Sequence, residues 1–289
     1  MFSRKPNWLL VTKIKNAQAR AGSRDILRYI YFMPPLSAKT QYIAPWRLTV
    51  LTNPGLCNQH CPMCRVHSRY ADPANIPSAT LPFPVLEAVV RTLAPLGLCE
   101  LIPSTMGEPF LYSDFAKMLA LCTDTGVHLN ITTNGSFPGG LDYWAPLLAP
   151  ITTDIKFSLQ NLSQLDTMRN IEQWQAWRAS HAAQVLPGST TSLQVILLHS
   201  CLTDIPELVQ WAITHNITRI KFHHLQVHFP EMAAESLDTP TGQTLWNECY
   251  QGLPTEGIRL EGTAIPREAQ HMADHKCLFL KKELWPPIW

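Results

Sequence analysis

Three cysteines, Cys57, Cys61 and Cys64, stand in a C-x3-C-x2-C spacing within Thr52-Asn53-Pro54-Gly55-Leu56-Cys57-Asn58-Gln59-His60-Cys61-Pro62-Met63-Cys64. One loop with this spacing can fold its three thiolates around one face of an iron–sulfur cubane. A [4Fe–4S] cluster ordinarily takes four cysteine ligands, so three leave one iron open to a substrate or cofactor. Zinc is the other reading of clustered cysteines. A structural zinc site closes with four ligands, often as paired C-x2-C knuckles. No second knuckle lies nearby, although His60 or His67 could supply a fourth ligand. The spacing favours the cluster and leaves zinc open.

Three polar stretches further along could share a site with the cysteines. Ser104-Thr105-Met106-Gly107-Glu108-Pro109 places a glutamate beside flexible backbone, which suits an ammonium ligand. Thr132-Thr133-Asn134-Gly135 ends in Asn-Gly, a pair that favours tight turns. Lys156-Phe157-Ser158-Leu159-Gln160 closes an apolar run with a hydroxyl and an amide.

Together with the cysteines, these stretches resemble the motifs of the radical S-adenosylmethionine (SAM) superfamily over about residues 46–228. Gly107, Glu108 and Pro109 match the family's G-G-E-P, with Met106 in place of the first glycine. The resemblance implies a [4Fe–4S] cluster on Cys57, Cys61 and Cys64, with SAM chelated at the open iron through its amino and carboxylate groups. It implies that the Gly-Glu-Pro loop contacts the SAM amino group, that Thr133 and Asn134, in the turn closing the third strand, face the cavity and bind the cofactor, and that Ser158 lies near the ribose and carboxylate. Gln160 departs from the aspartate usual in the family, though an amide still hydrogen-bonds a hydroxyl. Met63 replaces a residue that is commonly aromatic, and a soft apolar side chain suits the exchange.

The implied chemistry follows from these cofactors. An electron from a donor such as flavodoxin or ferredoxin enters the cluster and cleaves SAM to methionine and a 5′-deoxyadenosyl radical. The radical abstracts hydrogen from a substrate, either a peptide or protein or a small molecule. The rival class is a non-catalytic iron–sulfur or zinc-binding protein on the same scaffold; the Gly-Glu-Pro and Ser158 stretches speak against it.

Hydrophobic periodicity supplies the elements that would carry these residues. Strands are expected at Trp46–Leu51, Cys99–Pro103, Val127–Thr132, Thr153–Leu159, Ser192–Leu198 and Thr218–Phe222. Helices are expected at about 85–93, 114–123, 143–148, 171–183 and 204–215, with Ser113 or Asp114 capping the second. Thr203 or Asp204 is expected to cap the fifth, with Glu207 completing a capping box. Six strands alternating with helices predict an α/β fold, an open partial (β/α)6 TIM-like barrel with its chemistry at the C-terminal strand ends. The proline-rich stretch 65–84 is longer than an ordinary strand-to-helix loop. Strands five and six lead into His199-Ser200 and His223-His224, with His228 close behind; the resemblance has these strand ends frame adenine. Each histidine reads first as an ordinary satisfied side chain, then as polar lining of a substrate pocket, ahead of a metal site for which no carboxylate or cysteine completes the set locally.

Outside this core, residues 1–45 read as an N-terminal helical extension, amphipathic over 7–33, and 229–289 as a C-terminal extension. The latter holds an expected helix at 241–253, with Leu245, Trp246, Cys249 and Tyr250 inward, and a short strand at 258–260. Lys276-Cys277-Leu278-Phe279-Leu280 resembles the start of a SPASM or twitch extension, which binds auxiliary clusters; no cysteine follows Cys277, so no auxiliary cluster is expected. Cys99, Cys122, Cys201 and Cys249 lie in apolar patterns and read as inert core thiols.

The chain has 289 residues, 46% hydrophobic and 16% charged, enough for a full core. Its formal net charge of +1 gives no field to draw in nucleic acid or a membrane surface. No stretch reaches transmembrane length, and the apolar run Trp8–Val11 is broken by Lys13 and Lys15 before it resembles a secretory signal. A cytoplasmic location is expected, where eight cysteines stay reduced.

Overall fold

The computed structural model describes residues 44–103, 106–262 and 283–284. Its spine is one parallel sheet. The strands are β1 (Arg47–Val50), β2 (Glu100–Pro103), β3 (His128–Thr133), β4 (Thr152–Ser158), β5 (Thr190–Leu197), β6 (Arg219–His224), β7 (Arg259–Glu261) and β8 (Glu283–Leu284). They lie in the order β7-β6-β5-β4-β3-β2-β1-β8. Consecutive strands from β1 to β7 are neighbours, as right-handed helical crossovers produce. The helices are α1 (Phe83–Leu93), α2 (Phe115–Thr125), α3 (Leu141–Leu148), α4 (Leu165–Ser180), α5 (Ile205–Thr214) and α6 (Pro240–Gln251).

Strand alternation divides the sheet into two chemically different faces. Leu48, Leu101, Ile131, Phe157, Val195 and Phe222 pack against the helices in one continuous core. Each such side chain contributes about 1.5–3 kcal/mol by leaving water. The other face is polar. Arg47 pairs with Glu100, whose carboxylate also accepts from Asn130 Nδ2 at 3.1 Å and Thr153 Oγ1 at 2.5 Å. Lys156 Nζ lies 3.3 Å from Asp154 Oδ2, and Arg219 bridges Asp154 to Glu261. The lower part of the concave side is therefore filled by paired charges, and the upper part is left for the strand-end residues.

Within the described residues the expected strands and helices are present with shifted ends, and the fold is the partial-barrel α/β type read from the sequence. The sheet also continues past the expected sixth strand: β7 pairs in parallel with β6, and β8 with β1. Four local expectations fail. Asp114 and Asp204 stand at helix starts but make no side-chain cap bond. Asp204 instead continues in the helical conformation from a 3-10 turn, His199–Asp204, so no capping box with Glu207 forms. Leu245 is exposed on α6 while Trp246 is buried, and Cys99 is exposed at the foot of β2. The expected helices over 7–33, and Cys277, lie outside the described residues.

Candidate cofactor site

The loops that follow β1, β2 and β3 are bonded into one rim. Asn53 Nδ2 donates to the Glu108 carbonyl at 2.8 Å, and the Glu108 N–H donates to the Leu56 carbonyl at 2.8 Å. Gly107 sits between them. A Cβ there would lie 2.1 Å from the Asn53 carbonyl oxygen and 2.8 Å from that of Leu56, so any side chain forces the two loops apart. From the rim's other side, the Glu108 carboxylate accepts from Thr133 Oγ1 at 2.8 Å, the Asn134 N–H at 2.8 Å and the Phe110 N–H at 3.3 Å. The Asn134 amide in turn donates to Asn58 Oδ1 at 2.8 Å and faces Cys57 Sγ at 3.9 Å. Gly135 takes the φ of +83° that ends the turn, a conformation glycine adopts without strain. Asn170 and Thr167 on α4 hold this turn through its carbonyls.

This geometry gives Glu108 partners within the protein. Its carboxylate is buried and engaged by three protein donors. Burial pushes the carboxyl up to about 7, against the pull of the Asn134, Thr133 and Phe110 donors. Glu108 joins the loops. Pro109 is buried and starts a short 3-10 turn over Pro109–Leu111. Asn53 and Asn58 escape the sequence reading, because an asparagine in a loop carries no signal until its partners are known.

The three rim cysteines are free thiols. The Gln59 N–H points at Cys57 Sγ at 3.5 Å, and the His67 N–H at Cys64 Sγ at 3.3 Å. Burial raises Cys57 and pushes Cys61 up to about 11, and in both the neighbouring thiols add to the rise. Because these thiols raise one another, three thiolates together call for a compensating positive charge, which an iron–sulfur core would supply. The donor set fits that group. Neither histidine completes a zinc site through the nitrogen that faces the loop: His67 Nε2 donates to the Pro54 carbonyl at 2.9 Å, and His60 Nδ1 to the His67 carbonyl at 3.1 Å. Among the described residues, no three His, Cys, Asp or Glu side chains are grouped as a single ion would need.

Beside the cysteine loop a cavity of about 340 Å³ opens over the ends of β3 to β6. Met63, Ile196 and Leu225 form its apolar part, and Ser158, Gln194 and His223 face it from successive strands. Met63 also packs with Leu198, Cys201, Leu225 and Met232, so the cysteine loop touches the far side of the sheet. Gln160 does not line this cavity. Its Oε1 accepts from the Ile196 N–H at 2.6 Å and its Nε2 donates to Ser158 Oγ at 2.8 Å, which ties the tips of β4 and β5 together. Ser158 accepts in that bond and faces the cavity. His199 stands away from these residues in the exposed turn after β5.

The family model of the radical SAM superfamily matches residues 54–212, more than half of the chain. The chain belongs to the radical SAM superfamily. Membership brings the cofactors of that family of enzymes, a [4Fe–4S] cluster and SAM. Among curated proteins it is similar to the PqqA peptide cyclase of Methylobacterium nodulans, 22% identical over 185 residues that make up 60% of this chain and 45% of the cyclase. Among solved structures it resembles SuiB of Streptococcus suis bound to S-adenosylmethionine, with a TM-score of 0.55, 16% identity and coverage of 76% of this chain and 51% of SuiB. A structure of SuiB bound to precursor peptide SuiA gives a TM-score of 0.54 at 16% identity, covering 89% and 62% of the two chains. Histidine-tagged anSMEcpe with bound AdoMet gives 0.54 at 17% identity, covering 71% and 57%. The chain thus spans about half the length of the relatives it matches. At such identities these structures establish the partial-barrel fold alone. No helix of the described residues is long and apolar enough to cross a membrane.

Proposed function

We propose that this chain is a radical SAM enzyme whose cluster is held by Cys57, Cys61 and Cys64 and whose SAM lies against that loop and extends into the cavity. When bound, the cluster and SAM supply one-electron cleavage of the sulfonium and, with it, abstraction of hydrogen from a substrate C–H bond. The chain's own residues position and shield. The observation that carries the reading is the hydrogen-bonded rim, in which Asn53, Glu108 and Asn134 lock the cysteine loop to the next two strand ends. Thr133, through its hydroxyl, and Gly107, through its missing side chain, belong to the same lock. Ser158 offers a hydroxyl to the cofactor across the cavity, and Gln160 fixes that hydroxyl in place. Met63 and the apolar cluster around it exclude water from the loop's inner side.

A peptide substrate is supported by the relatives, a peptide cyclase and a protein solved with its precursor peptide. An electron donor such as flavodoxin or ferredoxin would complete the reaction. The seven free cysteines of the described residues suit a reducing, cytoplasmic setting. The test is anaerobic reconstitution with iron quantitation and an assay for 5′-deoxyadenosine under reduction. About four irons per chain, lost on changing any one of the three cysteines to alanine, together with 5′-deoxyadenosine release, is the expected result. Stoichiometric zinc without iron, or a cluster that survives Cys61→Ala, overturns the reading.

A further inference from the structure

The cavity is chemically one-sided. Histidines His223, His224 and His228 occupy its β6 end, and among the described residues no aspartate or glutamate lines it. The polar face of the sheet beneath leans the same way. On strands β1 to β7 it carries Arg47, Lys156, Arg219, Lys221 and Arg259 against Glu100, Asp154 and Glu261. The three carboxylates are each bound by a cation of that set. The excess positive charge therefore sits under the histidine wall. The apolar side chains Met63, Ile196 and Leu225 face the cavity from the side of the cysteine loop.

We propose that the β6 wall is an anion subsite, and that the substrate carries a carboxylate or phosphate bound by His223 and His228, with its apolar body turned toward Met63. The inference rests on the radical SAM reading only in assigning the rest of the cavity to SAM. Gln194 Oε1 lies 2.8 Å from His223 Nε2, and a carbonyl oxygen only accepts, so Nε2 carries the proton and Nδ1 is the nitrogen that titrates. Burial, and then Lys221, hold His223 below the usual imidazole range. Both favour the neutral imidazole, and an anion placed beside Nδ1 would act the other way and favour proton uptake. The charged groups flanking it are Arg219 and Lys221 on β6, Arg259 and Glu261 on β7 and the Asp154–Lys156 pair on β4; β5 contributes only the neutral Ser192 and Gln194.

The experiment is calorimetric titration of the reconstituted protein with glutarate, with inorganic phosphate and with putrescine, with and without saturating SAM, in two buffers of different ionisation enthalpy. One of the two anions is expected to bind in the presence of SAM with net proton uptake, and putrescine is not. His223→Gln and, separately, the solvent-facing His228→Gln should each weaken it by roughly tenfold, the value of one charge-assisted hydrogen bond, with iron content unchanged. Tighter glutarate binding marks a carboxylate substrate, and tighter phosphate binding a phosphoryl one. Competition between the anion and SAM would return the subsite to the SAM carboxylate and overturn the proposal. So would equal binding of putrescine, no binding of either anion, or indifference to both substitutions. If the protein takes up no iron, the radical SAM reading fails on its own, and the same titration of the cluster-free protein still decides the anion subsite.

Discussion

Glu108→Gln separates burial from hydrogen bonding at the centre of the rim. In the protein, Glu108 Oε2 accepts from the Asn134 N–H, and Oε1 from Thr133 Oγ1 and, at 3.3 Å, from the Phe110 N–H. A glutamine amide can place its oxygen where Oε2 stands and keep the Asn134 bond. Its NH2 group then donates to Thr133 Oγ1, and only the long Phe110 bond is lost, at a cost of about 1–2 kcal/mol. Against this stands the charge. Burial raises the carboxyl from 4.5 to about 7. A group raised in the folded state contributes stability below its unfolded value and loses it as pH climbs through the folded one. Between pH 4.5 and pH 7 the folded protein holds a proton that the unfolded chain has released, so stability falls by about 3 kcal/mol over that window. Glutamine does not titrate. The variant should therefore be less stable than its parent at pH 5 and more stable at pH 8.5, the difference swinging by about 2–3 kcal/mol. Urea denaturation of the cluster-free protein under reducing conditions, followed by tryptophan fluorescence, reads this directly. A constant offset between the two proteins from pH 5 to pH 8.5 would refute the buried-carboxyl account.

Gly107→Ala drives a methyl into the Asn53 and Leu56 carbonyls, so it should fold around an intact sheet core yet fail to retain iron after reconstitution and desalting. Equal iron content in variant and parent would show that the two loops are not locked. Gln160→Leu leaves the Ile196 N–H without its acceptor, which should cost about 1–3 kcal/mol in a urea melt. Because Gln160 supports Ser158 rather than lining the cavity, its loss should weaken SAM binding less than Ser158→Ala does, as equilibrium dialysis would show.

How far the site is legible from the sequence depends on the range of the interaction that builds it. The cysteine loop is readable because a ligand set with fixed local spacing leaves its mark in eight consecutive residues. The strand ends are readable because a buried parallel strand is a short apolar run, and the loop after it faces the site by topology. The role of Glu108 is not readable. Its partners Thr133 and Asn134 are 25 and 26 residues away, and a glutamate after a strand looks the same whether it binds an ammonium or a turn. Gln194 escapes for a related reason: it is one polar position on an alternating strand, and only its neighbour His223, 29 residues on, gives it a task. The cap expected at Asp204 fails because a 3-10 turn before the helix already supplies the backbone geometry, leaving the side chain nothing to close.

Position 160 connects the rim to the chemistry of the cavity. Family members usually carry aspartate there, and an ionised aspartate only accepts hydrogen bonds. It would draw the Ser158 proton toward itself and set a negative charge behind the cavity wall. Glutamine does the opposite at both ends. Its oxygen takes the Ile196 N–H, and its nitrogen donates to Ser158, so the serine hydroxyl points its own proton outward. The substitution thus turns an acceptor into a donor and takes a carboxylate away from a wall that elsewhere carries three histidines over an excess of cations. A departure that looks like decay of the SAM motif is, in this geometry, what a cavity built to receive an anion requires.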